Sequence, residues 1–93
     1  MFGTLTIHLQ IPGCSSLKEK RRRLVPLLHR LHREFNVSVA EMDLQDKWQE
    51  SVIACGMVNS SHLQIQRSLQ QIEGWMEHNW PDVQVLEEKI ELV

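Results

Sequence analysis

The spacing of the apolar residues switches repeatedly between a repeat of two and a repeat of about 3.6 along this chain, and this alternation limits the possible folds more than any other feature. Near the N-terminus every second residue is apolar, namely Leu5, Ile7, Leu9 and Ile11. The residues between them are polar, namely Thr4, Thr6, His8 and Gln10. This pattern predicts a first strand with one buried face and one polar face.

A capping box predicts where the first helix begins. The strand ends at Pro12-Gly13, and Ser16 with Glu19 can satisfy the first N–H groups of a helix that runs to about Phe35. We expect a kink at Pro26, which has no N–H for the preceding turn. The predicted apolar stripe is Leu17, Leu24, Leu28, Leu31 and Phe35, and a basic stripe of Lys18, Arg22, His29 and Arg33 faces outward.

Two strands, a helix and a last strand follow. Residues 37–42 predict a second strand, residues 43–49 a polar loop, and the apolar run 52–58 a third strand in the centre of the sheet. Asn59, Ser60 and Ser61 are competent N-caps of a second helix that stops at Trp80-Pro81. Its apolar stripe is Ile65, Leu69, Ile72 and Met76. Residues 83–93 predict the last strand, with a bulge or a bend at Glu87-Glu88.

The resulting order is β-α-β-β-α-β. With right-handed crossovers and both helices on one face, it favours a ferredoxin-like α+β split sandwich, a four-stranded antiparallel sheet covered on one side. A chain of 93 residues has room for one such domain, over residues 1–93. The other face of the sheet is then open, and it could stack bases, bind a second sheet or face water.

The charges are distributed unevenly. Residues 18–33 hold seven basic residues and one acidic residue, a net charge of +6, and the remainder holds three basic and eleven acidic residues, a net charge of −8. Such a helix could bind phosphates of RNA or of a ribonucleoprotein. The more usual interpretation of such a run is a solvated face whose arginines pair with carboxylates of the last strand or of a neighbouring copy. The nucleic-acid-binding candidates are Lys18, Lys20, Arg21, Arg22, Arg23, Arg30 and Arg33.

A base-stacking sheet is a weaker hypothesis than backbone binding by the helix. Platforms that stack RNA bases carry aromatic residues in the middle of the first and third strands. At those places this chain has His8 and Met57. Any RNA is therefore expected to bind the helix through its phosphates.

Three separated motifs carry a resemblance to a known family. They are residues 11–22, which lead into the helix, residues 35–41, and Gln45-Asp46 with Trp48-Gln49. Together they resemble the YlxP-like family of small bacterial proteins over essentially the whole chain. The resemblance implies a ferredoxin-like fold and supplies no catalytic residues. Genes of that family tend to lie beside those of transcription and translation factors and of a ribosome-maturation factor, which implies an RNA or ribosome context.

Two residues depart from the family pattern. Relatives usually have no proline in the helix that here contains Pro26, and a histidine is common where this chain has Leu44. A role that requires that imidazole is therefore not expected of this chain.

An enzyme is the alternative that the topology suggests. Acylphosphatases share the order of elements and hold phosphate in the loop before the first helix. Here that loop is Gly13 to Ser16, with Arg21 or Arg22 nearby and Asn59 after the third strand. The Gly-rich loop of those enzymes is absent, so the chain more closely fits a binding module without catalysis. The carboxylates Glu41, Asp43 and Asp46 fit a soluble turn better than an acid-base pair.

No cofactor or metal site is predicted. His29 and His32 lie three residues apart without further ligands at metal spacing. Cys55 fits a buried core thiol, and Cys14, before the helix, fits a thiol whose pKa the helix and its cations could lower. Two cysteines, no signal peptide and no apolar run of about 20 residues predict a cytoplasmic protein without a membrane segment.

The tryptophans suggest assembly. Trp48 lies in a polar loop and Trp75 at the edge of an apolar stripe, and aromatic residues in such places often anchor interfaces. Trp48 could instead fold back over the core. Trp80 is expected to pack at the end of its helix. We predict a homo-oligomer, most simply a homodimer, that covers Trp48 or the open sheet, with Trp48, Trp75, Gln45 and Asp46 as interface candidates.

Overall fold

A computed structural model describes all residues from Met1 to Val93. Its elements follow the predicted order β-α-β-β-α-β. The strands are β1 (Phe2–Gln10), β2 (Ser38–Asp43), β3 (Glu50–Val58) and β4 (Gln84–Leu92), and the helices are α1 (Leu17–Phe35) and α2 (His62–Asn79). The observed bounds differ from the predicted ones by one or two residues at the strand ends.

The four strands form one antiparallel sheet in the order β2-β3-β1-β4. Strand β3 lies between β2 and β1, in the interior position that its apolar run predicted. Helix α1 packs beside β2, whereas α2 packs on β1 and β4. This arrangement confirms the predicted ferredoxin-like α+β fold.

The core lies between the helices and one face of the sheet. In β1 the predicted alternation is confirmed, because Leu5, Ile7 and Leu9 are buried and the residues between them are half-buried. The buried stripe of α1 differs from the predicted one. It is centred on Leu24, Leu27 and Leu31, and the predicted members at its edge are half-buried, namely Leu17, Leu28 and Phe35.

The predicted capping box sets the start of α1. The Ser16 hydroxyl accepts from the Glu19 backbone N–H at 3.0 Å, and the Glu19 carboxylate accepts from the Ser15 N–H at 2.6 Å. This bond to the Ser15 backbone, together with the Cys14 side chain and the cations of α1, lowers the pKa of Glu19. The helix runs through Pro26 as one element and ends at Asn36, whose φ of 51° is left-handed.

A register shift interrupts the pairing of β1 with β4. His8 pairs with Glu87 and Leu9 with Val85, so Leu86 is the extra residue. The bulge predicted at Glu87-Glu88 is therefore present one residue earlier. Beyond it, Glu88 pairs with the buried Ile7 and lies on the helix-covered side of the sheet, next to Glu73 of α2.

This placement makes stability dependent on pH. Desolvation, followed by the hydrogen bond and the like charge of Glu73, raises the pKa of Glu88 from 4.5 to about 7. Because the pKa of Glu88 is higher in the folded than in the unfolded state, protonated Glu88 favours folding. This contribution to stability is complete below the unfolded pKa of 4.5, and it is lost as the pH rises through about 7.

We therefore predict that Glu88→Gln raises the melting temperature at about pH 8 and has little effect at about pH 5. The amide keeps the hydrogen bond to Glu73 and removes the second charge. Thermal melts followed by circular dichroism at both pH values measure the effect. The matched control is Glu77→Gln on the exposed side of α2, and an equal gain from it at pH 8 would contradict the assignment.

Candidate nucleic-acid interface

The seven predicted cations of α1 fall into two sets in the structure. Three contact carboxylates, carbonyls or an aromatic ring of their own chain, namely Lys20, Arg23 and Arg30. Four point outward, namely Lys18, Arg21, Arg22 and Arg33. We call these four side chains the outer basic face.

Lys20 is buried, so its assignment as a phosphate-binding residue is wrong. Only 3% of its side chain is exposed, and its Nζ lies 2.8 Å from Glu41 Oε2. The same ammonium donates to the Leu44 carbonyl at 2.8 Å, and the Ser51 hydroxyl donates to Glu41 Oε2 at 2.6 Å. The ion pair thus joins α1 to β2 and β3, and Glu41 belongs to it rather than to a free acidic cluster.

The sequence contained a signal for this burial. Lys20 precedes Leu24, Leu27 and Leu31 by four, seven and eleven residues, which are the intervals that return to one face of a helix. The long run of neighbouring cations obscured that spacing.

The contact between Lys20 and residue 44 does not depend on the side chain there. Leu44 adopts a left-handed conformation with φ of 61°, and its backbone carbonyl is the acceptor. Histidine, asparagine and aspartate adopt this conformation more readily than leucine. The departure from the family pattern at this position therefore leaves the acceptor of the buried lysine in place.

Arg23 links α1 to the loop before it and to the turn before β4. Its guanidinium donates to the Pro12 carbonyl at 2.8 Å and to the Asp82 carbonyl at 2.7 Å, and its Nε lies 3.6 Å from the Asp82 carboxylate. The side chain is 20% exposed. Its hydrogen-bonding capacity is largely satisfied by the chain itself, so Arg23 fits a structural role.

Arg30 packs on the aromatic contact between the two helices. Its guanidinium lies 5.4 Å from the centre of the Trp75 ring and 3.4 Å from Glu34. Trp75 meets Phe35 edge-on at 5.8 Å and stacks with Trp80 at 6.3 Å. The interface candidate Trp75 is thus half-buried among residues of its own chain, and Trp80 packs at the end of its helix as predicted.

The positive charges of the outer basic face are largely without carboxylate partners in the same chain. Arg22 is 77% exposed and lies 3.9 Å from Glu19, and no carboxylate lies within 4.0 Å of the other three cations. Lys18 and Arg33 are separated by about 22 Å along the helix at ~1.5 Å per residue. His29 and His32 are exposed on the same side of α1, and His32 Nδ1 contacts the Val37 carbonyl at 2.7 Å.

The loop before α1 is occupied by its own bonds. The Cys14 N–H donates to the Ile11 carbonyl, and the Ser15 N–H donates to the Glu19 carboxylate. A bound phosphate would have to displace that carboxylate, which carries the same sign of charge. The loop geometry therefore argues against the acylphosphatase-like alternative.

The remaining interface candidates lie in the loop between β2 and β3. Trp48 is 51% exposed, so the interpretation that it folds back over the core is wrong. Gln45 and Asp46 are exposed and line a cavity of about 290 Å³ together with Lys20, Arg21 and Glu41. Their role in assembly stays a prediction.

Both cysteines are buried. Burial raises the pKa of Cys55 to about 12, in agreement with the predicted inert core thiol. Cys14 also lies in the core, where its thiol donates to the Ser16 carbonyl at 3.4 Å.

No three His, Cys, Asp or Glu side chains lie close enough together to hold a metal ion. Neither helix is long and apolar enough to cross a membrane.

The buried ion pair gives a stability prediction. Lys20→Met leaves Glu41 without its counter-charge in a largely buried place, and we expect a loss of about 3 kcal/mol in the free energy of unfolding. The double variant Lys20→Met, Glu41→Gln should recover part of this loss. Urea unfolding measures both values. Lys18→Met, on the exposed side of α1, is the matched control and should change stability by less than about 0.5 kcal/mol; an equal loss from it would contradict the structural role of Lys20.

Comparison with known proteins places this fold in a family. Residues 2–90 match the family described as "Protein of unknown function (DUF503)". The chain is 33% identical over 84 residues to the Uncharacterized protein YlxP of Bacillus subtilis (strain 168), and the alignment covers 90% of each sequence. A crystal structure of a mutant of SnoaB, a cofactor-independent oxygenase from Streptomyces nogalater, has a TM-score of 0.61, covers 99% of this chain and 92% of that one, and is 14% identical. The likeness to SnoaB concerns the fold alone, whereas the family match and the YlxP relative confirm the resemblance read from the sequence. The chain therefore belongs to the DUF503 family, since the match extends over nearly its whole length.

Proposed function

We propose that this protein is a cytoplasmic RNA-binding module without catalytic activity, and that the outer basic face contacts the phosphates of an RNA or a ribonucleoprotein. The observation that carries the proposal is the exposure of Lys18, Arg21, Arg22 and Arg33 on one helix, with a single weak carboxylate contact among them. Such cations can neutralise phosphates and release their counterions.

The number of available cations sets the expected binding mode. Four cations neutralise up to about four phosphates, which corresponds to a slope of about −3 for log affinity against log salt on a single strand. This is a modest, sequence-independent contribution. It supports binding to the backbone of RNA rather than readout of its sequence by the helix.

The open face of the sheet gives less support for base stacking. The aromatic residue of β1 on this face, Phe2, lies at the end of the strand, and the residues in the centre of the face are Thr4, Thr6, Ala54 and Gly56. None of them has an aromatic ring on which a base could stack.

We predict that the triple variant Lys18→Glu, Arg22→Glu, Arg33→Glu weakens binding to a single-stranded RNA of about 15 nucleotides by at least ~100-fold at moderate salt. With one of the four cations left, the magnitude of the salt slope should fall below about 1. Fluorescence anisotropy over a salt series measures both quantities.

The matched control reverses three exposed cations elsewhere, in the variant Lys47→Glu, Arg67→Glu, Lys89→Glu. It has the same net charge as the test variant, so an equal effect of both would mean that overall charge, and not the outer basic face, governs binding. Absence of RNA binding by the unmodified chain would contradict the proposal outright.

Self-association through the open sheet is the second candidate function. On this face Phe2 is 43% exposed and its partner in β3, Val58, is 77% exposed. The neighbouring residues on this face are small, namely Thr4, Thr6, Ala54 and Gly56, which would allow a second sheet to approach closely. A second copy of the chain is the simplest partner of such a surface, since a two-fold axis would pair the same apolar patch with itself.

We predict that the unmodified chain has the mass of two protomers at micromolar concentration, and that Ala54→Glu reduces it to one. Ala54 lies in the middle of the open face between Thr6 and Ala40, so the carboxylate would be buried without a partner in a dimer. Light scattering after size-exclusion chromatography measures the mass. Gln66→Glu on the exposed side of α2 is the control, and a single-chain mass of the unmodified protein would exclude this candidate.

A further inference from the structure

A groove of about 410 Å³ lies beside the outer basic face, where the start of α1 meets the end of α2. The groove is shallow and open to solvent, so it could cover one face of a flat ligand but not enclose it. It is lined by two guanidinium groups, an indole, an amide, a proline ring and a carboxylate, namely Arg22, Arg23, Trp80, Asn79, Pro26 and Asp82. The Asp82 carboxylate lies 3.6 Å from Nε of Arg23, which offsets its charge.

We propose that this groove holds one unpaired nucleobase of a single-stranded RNA, stacked on Trp80, while the neighbouring phosphate lies on Arg22. The proposal rests on the proposed function and adds to it a preference for single strands with accessible bases. A duplex cannot place a base in the groove without opening a pair.

The walls of the groove are held in place before any ligand binds. Arg23 links the carbonyls of Pro12 and Asp82, at 2.8 and 2.7 Å, and so joins the turn before β4 to the start of α1. Trp80 is stacked with Trp75, with an angle of 22° between their planes. A pre-ordered indole loses little conformational entropy when a base stacks on it.

The polar groups suit a base and its phosphate. Arg22 is 77% exposed at the rim of the groove, where it can reach a phosphate oxygen. Asn79 donates its amide N–H to the Trp75 carbonyl at 2.9 Å, a bond that leaves the amide oxygen free to accept from a base. Aromatic stacking next to arginine is the usual combination in proteins that bind single strands.

No sequence motif indicated this site. Arg23 and Asp82 are separated by 59 residues, and Trp80 was expected only to close its helix. The site arises because the end of α2 lies against the first turns of α1.

Two oligomers of about 15 units test the proposal, a single-stranded RNA and an abasic strand with the same backbone. In the Trp48→Phe background the remaining indoles are the stacked Trp75 and Trp80, so their emission reports on the groove. We expect RNA to quench this emission and to bind roughly tenfold more tightly than the abasic strand, which should bind without quenching. Equal affinity for the two strands without quenching would overturn the nucleobase site and leave phosphate binding by α1 intact; binding of neither strand would overturn both.

A substitution at Trp80 distinguishes the contact with the nucleobase from the contact with the RNA backbone. Trp80→Leu keeps an apolar side chain at the end of α2 but removes the stacking surface, so RNA should bind roughly tenfold more weakly while the abasic strand is unaffected. Trp48→Leu, which changes an exposed tryptophan away from the groove, should alter neither affinity. Circular dichroism checks that Trp80→Leu is folded; if it is not, the quenching experiment decides the question on the intact groove. Unchanged RNA affinity of the folded variant would overturn the proposal.

Discussion

The ion pair between Lys20 and Glu41 lies where α1 crosses the sheet, and it fixes how the helix is rotated about its own axis. A buried ammonium is unfavourable by several kcal/mol unless a counter-charge and further hydrogen bonds compensate it. Here Glu41 supplies the charge, and the Leu44 carbonyl and the Ser51 hydroxyl complete the network. Any large rotation of α1 would separate this pair and expose the leucines beside it.

The division of the other cations follows from that rotation. At ~100° per residue, Arg23 and Arg30 lie within about 80° of Lys20 on the helix, on the side that faces α2 and the turn before β4. There they meet Asp82 and Trp75. The cations on the opposite side of the helix lack such buried partners and remain exposed to solvent.

Most of the fold could be predicted because its signals are local. The alternation in β1, the Ser16 and Glu19 cap, and the stop at Trp80-Pro81 each involve residues that are near neighbours in sequence, and the structure confirms all three. The candidate site could be predicted only in part. The outward direction of Lys18, Arg22 and Arg33 follows from helical spacing, but the ring under Arg30 and the carboxylate beside Arg23 come from distant segments. The direction of the Trp48 side chain could not be predicted for a related reason. A loop without a periodic hydrophobic pattern gives no information on whether its side chains point inward or outward.

The acidic residues of the last strand lie far from the cations that they could have neutralised. Strand β4 forms the edge of the sheet beside α2, and its open face carries Glu87 and Glu91, whereas α1 packs beside β2 near the other edge. The fold thus keeps the carboxylates of β4 away from α1, although Glu34, Glu41 and Asp46 lie near cations of that helix and the chain as a whole has a net charge of only −2. A polyanion approaching such a molecule is attracted on the side of α1 and repelled on the side of β4, so the field orients the encounter before contact. An even distribution of the same residues would give the same net charge without that orientation, which is why the placement of the charges, rather than their number, supports a phosphate-bearing partner.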